Sequence, residues 1–336
     1  MAEVNQTVPP SAAGPVLDQA APAAQPTWPR VVGVVLAAGL LGALVWLVVR
    51  GWGRVPKEAL RPDWWLLAAS FALFRFAVLV SRLRWLAVLR SLGGRLSVGR
   101  AYVIGVLSQL GRYVPGKVAI VATNVYLCAR EGISLRVAVM AAAYDQALLL
   151  ISGGMIVTFW LGVSSQVLPA AYRWVSLGAT AAGIAALHPR VVRAVVAVAG
   201  RLFRRQVAVE GLSYGTMARL GLGYIVAWGA MGLPFYLFVA AFHEMPAARV
   251  VDCTGILALA LVVGLVALFA PAGIGFREGA IAALLSAYMP LPLAAAIALA
   301  FRVHLVLGEL CDVVVALLLR ARQRGPARAL EDRRHA

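Results

Sequence analysis

The sequence predicts an all-α, polytopic integral membrane bundle of about eight transmembrane helices, with re-entrant or broken helices at 101–129 and 271–289. Of its 336 residues, 62% are hydrophobic and 13% are charged, against about 45–50% apolar and about 25% charged residues in soluble domains. The apolar residues gather in runs of about 20, the length of a membrane-spanning helix. Two further runs are interrupted by Pro, Gly and a cation, which favours helices that turn back inside the membrane.

The net charge of +17 comes mostly from arginines in short segments between the apolar runs. That distribution is typical of topogenic charge and of contact with anionic lipid, so membrane lipids are the expected partners and nucleic acid is not. Cys128, Cys253 and Cys311 lie in or beside apolar runs, without the spacing of a zinc site or a disulfide framework. We interpret them as packing residues and expect no cofactor and no metal.

The two ends of the chain differ from the apolar runs between them. Residues 1–29 are rich in Ala, Pro and Gln and hold few large apolar side chains, so they are predicted to be a disordered tail. Residues 30–320 are the predicted transmembrane domain, and residues 321–336 are a predicted basic cytoplasmic tail. The oligomeric state stays open.

Apolar windows of about 20 residues predict the spans in order along the chain. An eighth run, 274–288, is short and broken. The seven longer predicted spans are 31–49, 64–80, 137–163, 170–187, 217–242, 251–270 and 293–319.

Basic residues dominate 82–100, 190–219 and 320–334, whereas 164–171 and 243–249 hold almost none. The positive-inside rule therefore predicts a multi-pass protein of the plasma membrane with both termini in the cytoplasm.

With both termini on one side, the number of crossings must be even. This requirement favours a crossing at 274–288, although a re-entrant segment there stays open. The loop 50–63, with four basic and two acidic residues, would then lie outside, which opposes the predicted position of the first span. The segment 191–205 has valines on one face and arginines on the other, so it predicts either a helix at the membrane surface or a connecting helix.

The turn 109–117 separates two apolar arms, 101–110 and 118–129. As helices, these arms would reach only about 15–18 Å, against about 30 Å of hydrocarbon. A re-entrant hairpin that enters from the cytoplasmic face is therefore predicted. Its Pro-Gly pair must be shielded from lipid, which implies an internal environment for Arg112 and Lys117.

Charged residues inside spans are costly and require a partner or a purpose. In the last span, positions 302, 309 and 312 fall on one face of a helix, which predicts an inward polar stripe. Either these residues form ion pairs with one another or with Arg277 that join helices, or they line a hydrated path for a charged headgroup or a coupling proton. The charged and titratable residues within spans are Asp145, Arg277, Glu278, Arg302, His304, Glu309 and Asp312.

The turn 271–278, Pro-Ala-Gly-Ile-Gly-Phe-Arg-Glu, repeats the design of the turn 109–117, because each places a cation directly after Pro and Gly. Paired broken segments in the two halves of a chain point to the binding site of a transporter. Free backbone N–H groups at helix starts, together with Arg112, Lys117 and Arg277, suit an anion such as a lipid phosphate.

Three sequence motifs resemble those of the lysylphosphatidylglycerol synthase transmembrane family, also called the flippase-like domain family. They are Gly-Arg-Tyr-Val-Pro-Gly-Lys at 111–117, Tyr126 followed by Arg-Glu-Gly-Ile-Ser at 130–134, and the turn 271–278 with its downstream Glu309. The resemblance covers roughly residues 30–320. It implies a compact helical bundle with re-entrant segments, which in the two-part synthases is held to flip an aminoacylated phospholipid between leaflets. The chain ends at Ala336, so we expect a stand-alone domain without the soluble aminoacyl-transferase domain.

These observations favour a lipid flippase or transporter for a phospholipid, an aminoacyl-phospholipid or a polyprenyl-linked lipid, and no catalytic residue is expected. A non-catalytic membrane partner of a lipid- or glycan-modifying enzyme remains an alternative. A membrane-embedded lipid-phosphate enzyme with His304 or a carboxylate as base is a third reading. The candidate substrate-binding residues are Arg112, Tyr113, Lys117, Asp145, Arg277, Glu278, Arg302, Glu309 and Asp312.

Overall fold

The computed structural model describes residues 61–113, 118–163, 169–202, 212–267 and 270–335, together with residues 35, 39, 42, 45, 46, 49 and 50. These last seven residues are helical and fall within or beside the predicted first span. The predicted tail 1–29, the rest of that span and Lys117 lie outside the described residues.

Ten α-helices and no strand make up the described part of the chain. Short 3₁₀ turns lie at Leu110–Tyr113, Ala170–Tyr172, Ala247–Arg249 and Pro271–Gly273. The helices are α1 Trp64–Ser91, α2 Val98–Gln109, α3 Val118–Arg130, α4 Leu135–Val163, α5 Arg173–Ala186, α6 Pro189–Leu202, α7 Tyr214–Ala240, α8 Val250–Val266, α9 Phe276–Leu285 and α10 Leu291–His335.

Five of the described helical segments are long and apolar enough to cross a membrane. They correspond to α1, α4, α7, α8 and the first part of α10. This confirms the predicted all-α, polytopic membrane bundle.

Polar side chains set the starts of several helices. The Asp63 carboxylate accepts the backbone N–H of Trp65 at 2.8 Å and begins α1. Ser97 and Ser213 accept backbone N–H groups in the same way at the starts of α2 and α7. Such caps satisfy donors that the helix itself leaves unpaired.

The bundle has two ends, named here by one residue each. At the Asp63 end, the backbone N–H of Asp63 donates to the carbonyl of Ala241 at 2.9 Å, which joins the start of α1 to the end of α7. At the opposite, Arg90 end, Arg100 forms an ion pair with Glu131 at 2.9 Å. α1 and α4 run between these two ends, with residues in both of the apolar clusters described below.

α2 and α3 form the first hairpin. The Arg100–Glu131 pair places both of its outer ends at the Arg90 end, so its tip lies inside the bundle, and the re-entrant hairpin predicted at 101–129 is confirmed. Gly111 makes the turn possible, because a Cβ there would lie 2.7 Å from the carbonyl carbon of Ala119.

α8 and α9 form a second hairpin, which opens at the Asp63 end. The Arg249 guanidinium lies over the Tyr288 ring, 5.1 Å from its centroid, so the chain returns to the end that it left. The favoured crossing at 274–288 is therefore wrong and the re-entrant alternative is correct. The physical reason is length, because the ten residues of α9 reach only about 15 Å.

The tip of the second hairpin uses backbone conformations that favour glycine. Gly273 has a φ of +67°, and a Cβ there would lie 2.9 Å from the Cα of Gly264. Ala272 beside it also has a positive φ of 54°. The close approach of Gly273 to Gly264 brings the tip against α8, and the tips of the two hairpins meet inside the bundle.

Two apolar clusters hold the bundle together. One lies toward the Asp63 end and includes Phe74, Phe235 and Phe301, and the other lies toward the Arg90 end and includes Trp85 and Tyr144. α1 contributes to both clusters. Between them, α1 carries Arg75, Arg82 and Arg84, which face the polar interior of the protein.

The helix expected at 191–205 is α6, which ends at Leu202. Its Val192 is fully buried against the cluster at the Arg90 end, while Arg190 is exposed. This two-faced arrangement is that of a helix lying across one end of the bundle.

Candidate functional site

A cavity of about 350 Å³ lies where the two hairpin tips meet α1, α4 and α10. Its walls carry apolar side chains, but charged groups from five different helices or tips also line it. Such a concentration of charge within a membrane bundle marks a functional site. The charged lining residues are Arg75, Arg82, Arg84, Arg112, Asp145, Arg277, Glu309 and Asp312.

The tip of the first hairpin holds the Glu309 carboxylate. The Arg112 guanidinium donates to Glu309 Oε1 at 2.9 Å, and the Tyr113 hydroxyl donates to Glu309 Oε2 at 2.5 Å. Arg112 Nε also donates to the carbonyl of Gln109 at 3.0 Å, which fixes the guanidinium on its own turn. The tip is thus joined to the middle of α10 through both carboxylate oxygens.

One turn farther along α10, Asp312 is held by α1 and α2. The Arg75 guanidinium forms a hydrogen-bonded ion pair with Asp312, and the Tyr102 hydroxyl donates to the same carboxylate at 3.1 Å. Arg75 also lies over the Phe71 ring at 5.3 Å. Both Asp312 and Arg75 are thus held in place from more than one side.

Asp145 of α4 is the third carboxylate of the cavity. The Tyr224 hydroxyl donates to it at 2.5 Å, and Arg84 lies 3.3 Å away. The Arg84 guanidinium also stacks over the Tyr224 ring at 4.0 Å. Asp145, Arg84 and Tyr224 therefore form one compact polar cluster that joins α1, α4 and α7.

Arg82 and Arg277 remain without an ion pair to any described carboxylate. The Nε of each is buried and lacks a hydrogen-bond partner. Arg82 is pressed so closely against α2 that a Cβ on Gly105 would lie 2.3 Å from its Cδ. Both arginines line the cavity together with Arg112 and interact with it electrostatically.

Glu278 and Arg302 form a separate pair beside the cavity, with 3.6 Å between Oε1 and Nη1. Glu278 Oε2 also accepts the backbone N–H of Gly275 at 2.7 Å and caps α9. The pairing expected between Arg302 and Glu309, or of either with Arg277, is therefore wrong. Arg302 pairs with Glu278 of the second hairpin and Glu309 with Arg112 of the first.

The structure brings together most of the candidate residues predicted from the sequence. Tyr113 binds Glu309 at the rim, Glu278 and Arg302 pair next to the cavity, and Lys117 lies outside the described residues. The predicted residues that line the cavity are Arg112, Asp145, Arg277, Glu309 and Asp312.

Sequence reasoning missed the three arginines of α1 that line the cavity, although Arg75 lies inside the apolar run 64–80. Arg82 and Arg84 were assigned to a basic cytoplasmic segment, which is wrong, because α1 continues to Ser91. Arg75 and Arg82 are seven residues apart and therefore share a face of the helix. The sequence did contain a signal for this inward face. Arg82 follows Arg75 by seven residues, although the apolar run ends between them.

His304 lies apart from the cavity lining. Its ring contacts Phe71, Phe74 and Phe238 at centroid distances of 5.4, 5.8 and 4.8 Å, and it stacks with Phe301. The expected base of the enzyme reading is thus enclosed by aromatic rings. Among the described residues, no group of three His, Cys, Asp or Glu side chains is arranged to hold a metal ion.

The cavity reaches the outer surface of the bundle beside the first hairpin. Leu110, Val121 and Leu150 line it and are also exposed, with 44%, 37% and 43% of their surface accessible. Exposed leucine and valine on a membrane bundle face lipid chains. The polar interior therefore has an apolar margin formed by the first hairpin and α4.

A family model described as "Lysylphosphatidylglycerol synthase TM region" matches residues 30–308. No curated protein matches the chain. The matched region includes both hairpins, and it includes every charged residue lining the cavity except Glu309 and Asp312.

Proposed function

Because the chain belongs to the family of the lysylphosphatidylglycerol synthase TM region, we propose that it is a flippase or transporter that moves a phosphate-containing lipid between leaflets. The family and the apolar helices make it a multi-pass membrane protein with a lipid-related role. The transport activity and the class of lipid are the new elements of the proposal.

The observation that carries the proposal is the cavity between the hairpin tips. It contains five arginines and three carboxylates in the described lining, so its charge favours an anion. Sites formed by broken helices near the middle of the membrane are typical of transporters. Arginine side chains bind phosphate through paired N–H groups, which makes a phosphate headgroup the best-matched cargo.

The margin at Leu110, Val121 and Leu150 supports a path for a lipid rather than for a small solute. A headgroup in the cavity would have its acyl or prenyl chains beside these exposed apolar residues. The chains would stay in the bilayer while the headgroup is shielded by the protein, which avoids the cost of exposing charge to hydrocarbon.

We propose that the Arg90 end faces the cytoplasm and that the protein lies in the plasma membrane with both termini inside. Within the described residues 61–335, arginines are concentrated at this end, and those at the Asp63 end are Arg61, Arg173 and Arg249. The positive-inside rule supports this orientation. The arginines at the Arg90 end are Arg90, Arg95, Arg100, Arg130, Arg136, Arg190, Arg193, Arg219, Arg320 and Arg322.

A transport role also agrees better with the site than an enzymatic one. Asp145, Glu309 and Asp312 are each engaged by an arginine and a tyrosine hydroxyl. A carboxylate held in this way is a poor general base, because its oxygens already accept hydrogen bonds from these donors. We therefore propose that the cavity binds and passes a headgroup without a chemical step.

Leaflet exchange in liposomes tests the proposal. The purified protein is reconstituted with a fluorescent phospholipid, and the fraction of label reduced by external dithionite is followed over time. Exchange should occur with the unaltered protein, be lost in Arg112→Ala and Glu309→Ala, and persist in Arg219→Ala, an exposed control. Exchange at an unchanged rate in both cavity variants contradicts the proposed binding site. Exchange that requires an added enzyme would favour the role of a membrane partner of that enzyme.

A further inference from the structure

We propose that the cavity selects a lipid whose headgroup ends in a phosphomonoester, bound between Arg82 and Arg277, and that it discriminates against an aminoacylated headgroup. The inference rests on the proposed lipid transport and specifies its substrate class. This substrate class is inferred because some charged residues of the cavity form ion pairs with one another and others do not.

Each described carboxylate of the cavity has its own arginine. Asp145 pairs with Arg84, Glu309 with Arg112 and Asp312 with Arg75. These three pairs are neutral as units, so they contribute structure more than net charge.

The remaining cations are Arg82 on α1 and Arg277 on α9. The carboxylates that interact electrostatically with Arg82 are Asp145 and Asp312, and those that interact with Arg277 are Glu278 and Glu309. All of these carboxylates are bound to other arginines. The described cavity thus has a surplus of two positive charges, one from each half of the chain.

Two partly buried cations without counter-ions are costly unless a ligand supplies the missing charge. Arg82 and Arg277 also each retain a buried Nε–H without a partner. An acceptor with several oxygens and about two negative charges satisfies both needs, and a phosphomonoester carries about −1.5 to −2 at pH 7 with three such oxygens. A phosphodiester carries only one charge, and an aminoacyl group adds a cation that the surplus would repel.

Arg112 interacts electrostatically with both Arg82 and Arg277. It already donates to Glu309 at 2.9 Å, so it borders the anion position while remaining neutralised. The three cations therefore have different roles. Arg82 and Arg277 bind the phosphate, and Arg112 holds the tip of the first hairpin next to the phosphate.

Binding to the purified full-length protein in detergent tests the inference independently of transport. Trp85 and Trp228 line the cavity, so their fluorescence reports ligand entry. The four probes are phosphatidic acid, a polyprenyl phosphate, phosphatidylglycerol and lysyl-phosphatidylglycerol. The two monoesters should bind about tenfold or more tighter than phosphatidylglycerol, and the lysyl lipid should bind weakest.

Arg82→Gln and Arg277→Gln should each weaken monoester binding about tenfold, a loss typical of a charge-assisted hydrogen bond. Arg219→Gln, an exposed arginine outside the cavity, should leave it unchanged. The ligand-free thermal midpoints of the two cavity variants should stay level or rise, because each loses an unpaired buried charge. A merely structural arginine would instead lower the midpoint.

Equal binding of all four probes, or preference for the lysyl lipid, overturns the inference. If a variant fails to fold, competition on the unaltered protein decides the question, since glycerol 3-phosphate should displace the lipid and glycerol should not. Binding of one monoester but not the other still supports the headgroup rule and adds selection by the chains.

Failure of the proposed function looks different. Monoester binding without leaflet exchange in liposomes rejects transport and leaves the headgroup assignment intact. Leaflet exchange that is equally fast for all four headgroups rejects the assignment and leaves transport intact.

Discussion

Arg112 and Glu309 lie 197 residues apart in the chain and meet across 2.9 Å inside the bundle. Arg112 sits on the tip of a hairpin that enters from the Arg90 end, and Glu309 lies midway along α10. Tyr113 completes the contact at the second carboxylate oxygen. A single carboxylate thereby fixes the position of a turn that has no long helix of its own to anchor it.

Glu309→Gln should disconnect this tip and slow leaflet exchange by about tenfold or more, because the amide cannot accept from both Arg112 and Tyr113 with the same strength. The dithionite assay measures the rate. Glu131→Gln is the matched control, since it makes the same change in the more exposed pair with Arg100. An equal loss in both variants would show that the effect is general and not a property of the cavity.

Asp312→Asn should destabilise the protein by about 3 kcal/mol, because it leaves Arg75 partly buried without its counter-ion. Replacing both residues by leucine should recover much of that loss, since neither charge then remains. Chemical unfolding in detergent, or the thermal midpoint, measures both. A double variant that is less stable than Asp312→Asn would contradict the assignment of the pair.

Gly273→Ala should destabilise the second hairpin by at least about 1 kcal/mol, the cost of a left-handed backbone for a residue with a Cβ. Its Cβ would also lie 2.9 Å from the Cα of Gly264. Gly264→Ala is the matched control, because its Cβ would meet Arg277 at an ordinary 3.5 Å. Equal thermal midpoints for the two variants would argue against this tip conformation.

Thiol labelling tests the second hairpin as a re-entrant segment. Ala248→Cys and Ser286→Cys, made in a Cys311→Ser background, should react with a membrane-impermeant maleimide from the same side. Ser97→Cys should react only from the opposite side. If 274–288 crossed the membrane, Ala248 and Ser286 would label from opposite sides.

The pH dependence of binding separates the headgroup classes further. Phosphatidic acid gains its second negative charge as pH rises through about 6–7, so its affinity for the protein should increase across that interval. Phosphatidylglycerol has no such ionisation and should bind with a constant affinity. Parallel profiles for the two lipids would show that the second charge is not recognised.

The two hairpins could be predicted from the sequence because their signals are local. Short arms and a Pro-Gly interruption occur within a few residues of Arg112, and a similar pattern precedes Arg277. The arms of the first hairpin, and α9 in the second, are too short for a full crossing. The end of the bundle from which the second hairpin enters could not be predicted from neighbouring residues. It is shown by the contact between Arg249 and Tyr288.

The remaining part of the site could not be deduced in this way. Arg82 and Arg84 follow an apolar run, as topogenic charges do, and only the packing of α1 against α2 and α4 shows that they face inward. The ion-pair partners are also set by tertiary structure. Arg302 and Glu309 lie two turns apart on one helix face, yet each binds a residue from a different hairpin.

The lengths of α2 and α9 determine how deep the two hairpin tips lie. From opposite ends of the bundle, these helices reach about 18 Å and about 15 Å, together close to the thickness of the hydrocarbon layer. Their tips meet near the depth at which an unaccompanied headgroup would be least stable. A binding site at this depth lowers the free-energy barrier to headgroup passage across the membrane. A lipid bound too tightly there would, however, leave slowly. Rapid passage therefore requires an affinity only strong enough to offset the lost hydration.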